Sequence, residues 1–178
     1  MRLFVAVGVP EISLEGVRIG GPEAPPHLTV LFLGEVDAAR AAALPERFAS
    51  AVRGRPPFPL ELTGVGVFPN EAHPRVVWVG VGAGARELRE LHDALVGACR
   101  ELALSVDDRP LVPHLTVRRV RGPRDAELAR RWVAEFGARA FGRTEVSELL
   151  LRESLLGARP VVHRTIARLP LEGAAVPG

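Results

Sequence analysis

Apolar residues recur along this chain with two periods, and the switches between them predict the order of its elements. Residues 2–9 form an almost unbroken apolar run of strand length, read as a buried first strand. Pro10, Gly16, Gly20, Gly21, Pro22, Pro25 and Pro26 then punctuate 10–26, which predicts an irregular connection. Strand character returns at His27 and continues through Leu31, Phe32 and Leu33 to Gly34. Ala41, Leu44, Phe48 and Val52 fall on one side of a helix over 37–53, with Asp37 as its cap and a kink or restart at Pro45.

Strands over 58–68 and 75–81 follow, joined by a turn over 69–74, and the second is apolar enough to be central. Leu88, Leu91, Leu95, Cys99 and Leu102 give the clearest helical spacing in the chain, over 85–103. The second half repeats the plan. A short extended stretch near 104–107 leads to a strand from His114, then a helix over 124–138 with Asp125 as cap and Leu128, Trp132 and Phe136 on one face. Two strands, near 145–156 and 160–169, close the chain. This order predicts two similar, intertwined lobes. No linker-like segment separates them, so a single domain over 1–178 is expected.

The repeat is visible at the level of residues. Pro26-His27-Leu28-Thr29-Val30 recurs as Pro113-His114-Leu115-Thr116-Val117, displaced by about half of the 178-residue chain. Side chains alternate faces along a strand, so His27 shares a face with Thr29, and His114 with Thr116, while the Leu and Val of each copy point the other way. A duplication kept only for packing would preserve the apolar positions. It has no need to keep His and Thr on the polar face of both copies.

Composition narrows the setting. At 47% hydrophobic residues the chain is long and apolar enough to bury a core, and no apolar run reaches membrane-spanning length. The apolar start lacks a cleavage pattern and reads as a strand, not a leader. A lone Cys99 cannot form an internal disulfide, which suits a reducing cytoplasm, and a monomer is expected. The pI of 9.8 overstates the basicity, because the formal charge is only +2 and the chain has no Lys or Tyr to titrate in that range. All 23 basic residues are Arg, which suits bidentate phosphate contacts and equally suits a high-GC genome. Any nucleic-acid argument must therefore rest on particular arginines.

Two histidines across a cleft can move protons at neutral pH, one removing a proton from the attacking oxygen and the other delivering one to the leaving oxygen. In-line displacement at phosphorus needs those groups on opposite sides of the phosphorus atom. The Thr hydroxyls can donate to the non-bridging oxygens. Five residues after His114 stands Arg119, and five after His27 stands Phe32. A cation beside His114 would disfavour its protonated form, making His114 the base and His27 the acid. Strand parity, however, puts Arg118 on the face of His114, so Arg119 reaches the site only if the strand bulges or ends there.

Other chemistries fit less well. Cys99 lies on the apolar face of a helix, Gly80–Gly84 lacks the phosphate-loop lysine and the full dinucleotide fingerprint, and no ligand spacing points to a metal. No cofactor is implied. His73, His92 and His163 are most simply a turn, a helix surface and a strand position.

The paired motifs resemble those of the two-histidine phosphoesterase superfamily and, within it, the bacterial and archaeal RNA 2′,3′-cyclic phosphodiesterases, also called 2′-5′ RNA ligases. Residues 2–7, 27–34, 68–69, 74–80 and 113–119 carry the resemblance in order along nearly the whole chain. It implies an α+β, LigT-like bilobal fold of two antiparallel sheets flanking a cleft, with helices outside. It also implies metal-independent hydrolysis of a ribose 2′,3′-cyclic phosphate at RNA 3′ ends to a 2′-phosphomonoester. His27 matches the proton donor, His114 the acceptor and Arg119 a phosphate-binding arginine, which overrides the parity preference for Arg118. The chain departs from the family in a short segment before His27, where a helix is missing and one cleft wall is expected to be more open. His163 also replaces a common tyrosine. A 2′-5′ ligase, a small cyclic-nucleotide phosphodiesterase and an idle RNA- or nucleotide-binding module are the alternatives.

Overall fold

The computed structural model describes residues 1–19, 25–107, 109–155 and 162–173. Their strands are β1 (Arg2–Gly8), β2 (Ile12–Leu14), β3 (Val17–Ile19), β4 (His27–Glu35), β5 (Phe58–Phe68), β6 (Val76–Val81), β7 (His114–Arg119), β8 (Ala140–Val146), β9 (Glu148–Leu155) and β10 (Val162–Pro170). The helices are α1 (Ala38–Val52), α2 (Ala85–Glu101) and α3 (Pro123–Phe136).

Two antiparallel four-stranded sheets result, ordered β10-β9-β1-β4 and β7-β6-β5-β8. Each takes two strands from each half of the sequence, so the lobes are interleaved through the chain. The two motif strands, β4 and β7, are edge strands and lie against each other. That places one His-x-Thr pair at the facing edge of each sheet.

Most elements follow the apolar pattern. Asp37 caps α1 by accepting from the Arg40 N–H at 3.0 Å. Helix α1 runs through Pro45 as one element, so the expected restart does not occur. Leu44 and Phe48 are fully buried on either side of it, and about 1.5–3 kcal/mol from each offsets the roughly 3 kcal/mol cost of an internal proline. Gly84 opens α2 at φ +88°, a left-handed conformation that suits glycine.

Four further expectations change. The N-cap of α3 is Gly122, and Asp125 instead accepts from the Arg121 N–H at 2.9 Å and the Arg118 guanidinium at 2.7 Å. His92 is buried on the packed face of α2 and not at its surface. The predicted strand near 145–156 is two strands, because the chain leaves one sheet at Val146 and enters the other at Glu148.

The last change concerns the connection before His27. Its described part is a hairpin, β2 with β3, turned at Glu15 (φ 46°) and Gly16 (φ 78°). Ile12 and Leu14 bury their side chains, and the Glu15 carboxylate accepts from Trp132 Nε1 at 2.9 Å and Arg131 at 2.8 Å on α3. The hairpin thus spans from one sheet towards the helix of the other, and Val17, Arg18 and Ile19 line the cavity between the sheets. Residues 20–24 of this connection, and 160–161 of the last predicted strand, lie outside the described residues.

Candidate active site

Both motif strands carry the same irregularity. In β4, Ala6 pairs with Thr29 and Val5 with Leu31, so Val30 is an extra residue. In β7, Trp78 pairs with Thr116 and Val77 with Arg118, so Val117 is the extra residue. A bulge shifts side-chain parity by one. It therefore returns Arg119, opposite Val76, to the face of His114 and Thr116, and sends Arg118 to the other face, where Asp125 holds it. The same shift buries Val30 and Leu31 together and presents Phe32 on the face of His27, 66% exposed. Arg119 and Phe32 are structural equivalents.

His27, Thr29, His114, Thr116 and Arg119 all line one cavity of about 740 Å³ between the sheets. Leu28 and Leu115, pointing the other way, are buried in the core and anchor the two edges.

The imidazoles are held alike. His114 Nδ1 lies 2.7 Å from the Val112 carbonyl, and His27 Nδ1 lies 3.5 Å from the Pro25 carbonyl. A carbonyl oxygen only accepts, so each ring nitrogen facing one must carry the proton. That leaves Nε2 of both rings for chemistry. The contact is tight at His114 and at the limit of a hydrogen bond at His27.

Surroundings differ more than the motifs. His114 packs edge-on against Phe68 at 5.0 Å and lies 6.4 Å from Trp78, whose indole lies over Gly66, where a Cβ would overlap it. His27 sits 5.4 Å from Phe4 and 5.2 Å from His163, and Phe4 and His163 are 5.0 Å apart. Burial, then the nearby Arg152 charge and a smaller effect of His163, outweigh the Pro25 carbonyl and push the His27 pKa down to about 4. The His163 pKa is lowered as well, by burial and by Arg152.

Arg152 and His163 are the cleft residues that sequence reasoning missed as chemistry. Arg152 is opposite Phe4 in the sheet and 9% exposed; His163 is opposite Ser154, whose Oγ is 3.3 Å from its Nδ1. Both line the cavity. The signal for Arg152 was an arginine directly after the apolar run Leu149-Leu150-Leu151 of an inner strand, legible only once strand order is known. The cation Arg119 beside His114 has a counterpart, Arg152, beside His27, and burial with that charge disposes His27 to be neutral in the free protein.

The sequence from 19 to 158 matches the family model of the 2′-5′ RNA ligase superfamily. The chain belongs to that superfamily. Among curated proteins, it is 37% identical over 140 residues to the RNA 2′,3′-cyclic phosphodiesterase of Aeropyrum pernix, covering 79% of this chain and 78% of the relative. It is 33% identical to the protein of the same name from Archaeoglobus fulgidus, over 93% and 98% of the two chains. Among solved structures, one from Thermus thermophilus superposes with TM-score 0.74 at 25% identity, covering 98% of this chain and all of that one. E. coli LigT complexed with 3′-AMP superposes with TM-score 0.69 at 25% identity, over 96% and 97%. The superfamily's LigT-like α+β fold is the fold described above.

Elsewhere in this superfamily member, alternative chemistry finds little footing. Cys99 is fully buried and its thiol is pushed up to about 11 by desolvation, which removes it as a nucleophile. Among the described residues no group of three His, Cys, Asp or Glu could hold a metal ion, and no helix is long and apolar enough to cross a membrane.

Proposed function

We propose that this chain is an RNA 2′,3′-cyclic phosphodiesterase that opens a terminal ribose 2′,3′-cyclic phosphate to a 2′-phosphomonoester by two-histidine acid–base catalysis, with no metal required. The observation that carries the reading is the meeting of two identical His-x-Thr pairs, one from the edge of each sheet, in a single cavity. The curated name shared by the Aeropyrum and Archaeoglobus relatives supports it.

In this reading His114 accepts the proton of the attacking water at Nε2. The short Nδ1 contact to Val112 favours that role, since it fixes the tautomer with a lone pair on Nε2. The water oxygen forms its bond to phosphorus as the bond to the ribose 3′-oxygen breaks, and His27 Nε2 delivers a proton to that oxygen. Thr29 and Thr116 donate to the non-bridging oxygens, and Arg119 pairs with their charge. The two histidines finish in exchanged protonation states and are reset by solvent.

His27 is held neutral in the free protein, which an acid cannot be. An anionic phosphoryl group entering the cleft counters the Arg152 charge and favours the imidazolium, so substrate binding itself arms the acid. With the 5′-hydroxyl of a second RNA in place of water, the same geometry gives weak 2′-5′ ligation as the bond to the ribose 3′-oxygen breaks. RNA 3′ ends are the substrate, a monomer suffices because one chain supplies both histidines, and the single unpaired cysteine suits the cytoplasm.

The test is hydrolysis of a nucleoside 2′,3′-cyclic phosphate in EDTA, with the product identified by phosphorus NMR. A 2′-phosphate, lost in both His27→Ala and His114→Ala, is expected. A 3′-phosphate product would overturn the assignment of the leaving oxygen. Nucleotide binding without turnover would make the protein a non-catalytic module.

A further inference from the structure

Among the described arginines, Arg152 combines deep burial with the lack of any carboxylate partner. The exposed ones commonly pair: Arg118 with Asp125, Arg143 with Glu61, Arg164 with Glu153. Arg152 is 9% exposed, its Nε has no hydrogen-bond partner, and its Nη2 reaches only the His163 carbonyl at 3.3 Å. The adjacent carboxylate, Glu153, points to the opposite face of the sheet, where Arg164 takes it at 2.6 Å. A buried cation is costly unless an anion meets it. No such anion comes from the described protein, and Arg152 lines the cavity.

We propose that Arg152 is a second phosphoryl-binding residue of the cleft, on the His27 side, taking anionic oxygens of the substrate opposite those taken by Arg119. Its cation lies 6.0 Å from the Phe4 ring, which also packs on His27 and His163, so the fork is held by a rigid aromatic neighbour on a central strand. The apolar body of the site keeps its interactions little screened. This inference rests on the reading of the cavity as a phosphoryl site and adds to it a coupling: the anion that meets Arg152 relieves His27 of a neighbouring positive charge. The groups that face His27 are Arg152 from β9 and His163 from β10, with Arg18 from β3 and His114 and Arg119 from β7 across the same cavity.

The experiment uses inorganic phosphate as the probe and the full chain as wild type, Arg152→Met and Arg152→Lys. Phosphate affinity is read by the rise in unfolding temperature, and the His27 ring is titrated by proton NMR, assigned with His27→Gln. In the wild type, phosphate should stabilise the fold and shift the His27 titration to higher pH. Arg152→Met should bind phosphate about tenfold or more weakly, as befits loss of a charge-assisted contact. Its free His27 should already titrate nearer the ordinary range and respond little to phosphate. Replacing an unpaired buried charge by an apolar chain of similar length should not prevent folding. If it does, Arg152→Lys keeps the charge without the fork and should still weaken phosphate measurably.

Unchanged phosphate affinity and an unchanged His27 response in the variant would overturn the proposal, since a purely structural Arg152 would move neither reading. A second arm compares a mononucleoside 2′,3′-cyclic phosphate with a dinucleotide ending in one. A defect shared by both assigns Arg152 to the reacting phosphoryl group, and one confined to the dinucleotide assigns it to the preceding phosphodiester. No defect with either substrate overturns the role. Failure of the wild type to hydrolyse either compound would sink the cyclic phosphodiesterase reading and leave the phosphate result standing.

Discussion

The two motif strands repeat one backbone device in two different environments. Each carries His-x-Thr, a bulge one residue later and a carbonyl facing Nδ1, at Val30 and Pro25 in one copy and at Val117 and Val112 in the other. After the bulge the copies diverge, with exposed Phe32 standing where the other has Arg119. Behind them the contrast is sharper: His114 leans on Phe68 and Trp78, while His27 shares Phe4 with His163 and Arg152. Duplication supplies the symmetric placement of two imidazoles. The unlike neighbours, drawn from strands β1, β5, β6, β9 and β10, break that symmetry: burial beside Arg152 lowers the His27 pKa, and an acid–base pair needs its two members to differ.

The comparison can be broken from either side. Its largest expected effect is loss of cyclic phosphate hydrolysis, by about 10²–10⁴-fold, in His27→Ala and again in His114→Ala. The double variant should be little worse than either alone, because the pair acts as a unit. Additive losses in a steady-state assay would show that the two rings act independently.

Removing one hydroxyl comes next. Thr29→Ala and Thr116→Ala should each lower kcat by about 10²-fold, the order found for single donors to a developing charge. Half-buried Thr29 should cost more than exposed Thr116, and equal losses would deny that environment distinguishes the copies. Arg119→Ala should raise KM more than it lowers kcat, with kcat/KM down about 10–100-fold, the worth of a charge-assisted contact.

Proton linkage probes the first copy alone. The His27 pKa is about 4 folded against an ordinary 6.5, so the unfolded chain binds more protons between those values. Its contribution to stability is complete above pH 6.5 and is lost as pH falls towards 4. Denaturant unfolding from pH 7 to 4 should show a steeper decline in the wild type than in His27→Gln. Parallel curves would mean that His27 is not desolvated. The smallest effect belongs to Phe32→Arg, which makes the first copy resemble the second. Stability should change by no more than about 0.5 kcal/mol at so exposed a position, and a larger shift in unfolding midpoint would expose packing that the comparison overlooks.

Much of this was legible in the linear pattern. Alternation placed His27 with Thr29 and His114 with Thr116, and helical spacing found α1 and α2 with their buried faces. The parity conflict at Arg119 even named its own solution, a bulge. The hairpin at 12–19 was hidden because its apolar residues sit among glycine and proline, and β8 because Gly142, Arg143, Thr144 and Glu145 lack a strand's apolar signal. Ser147 alone separates the two strands, too short a break in the pattern to reveal that the chain changes sheet there.

By itself, then, the sequence determined what depends on near neighbours: strands, helices, the repeated motif and which side chains share its face, because backbone geometry fixes those over a few residues. Only the tertiary structure decided which strands from the two halves pair in each sheet, and that Arg152 and His163 stand beside His27. Such contacts join residues more than a hundred positions apart, through sheet order that no local period encodes. They set the dielectric and charge around a histidine, and so decide its proton affinity.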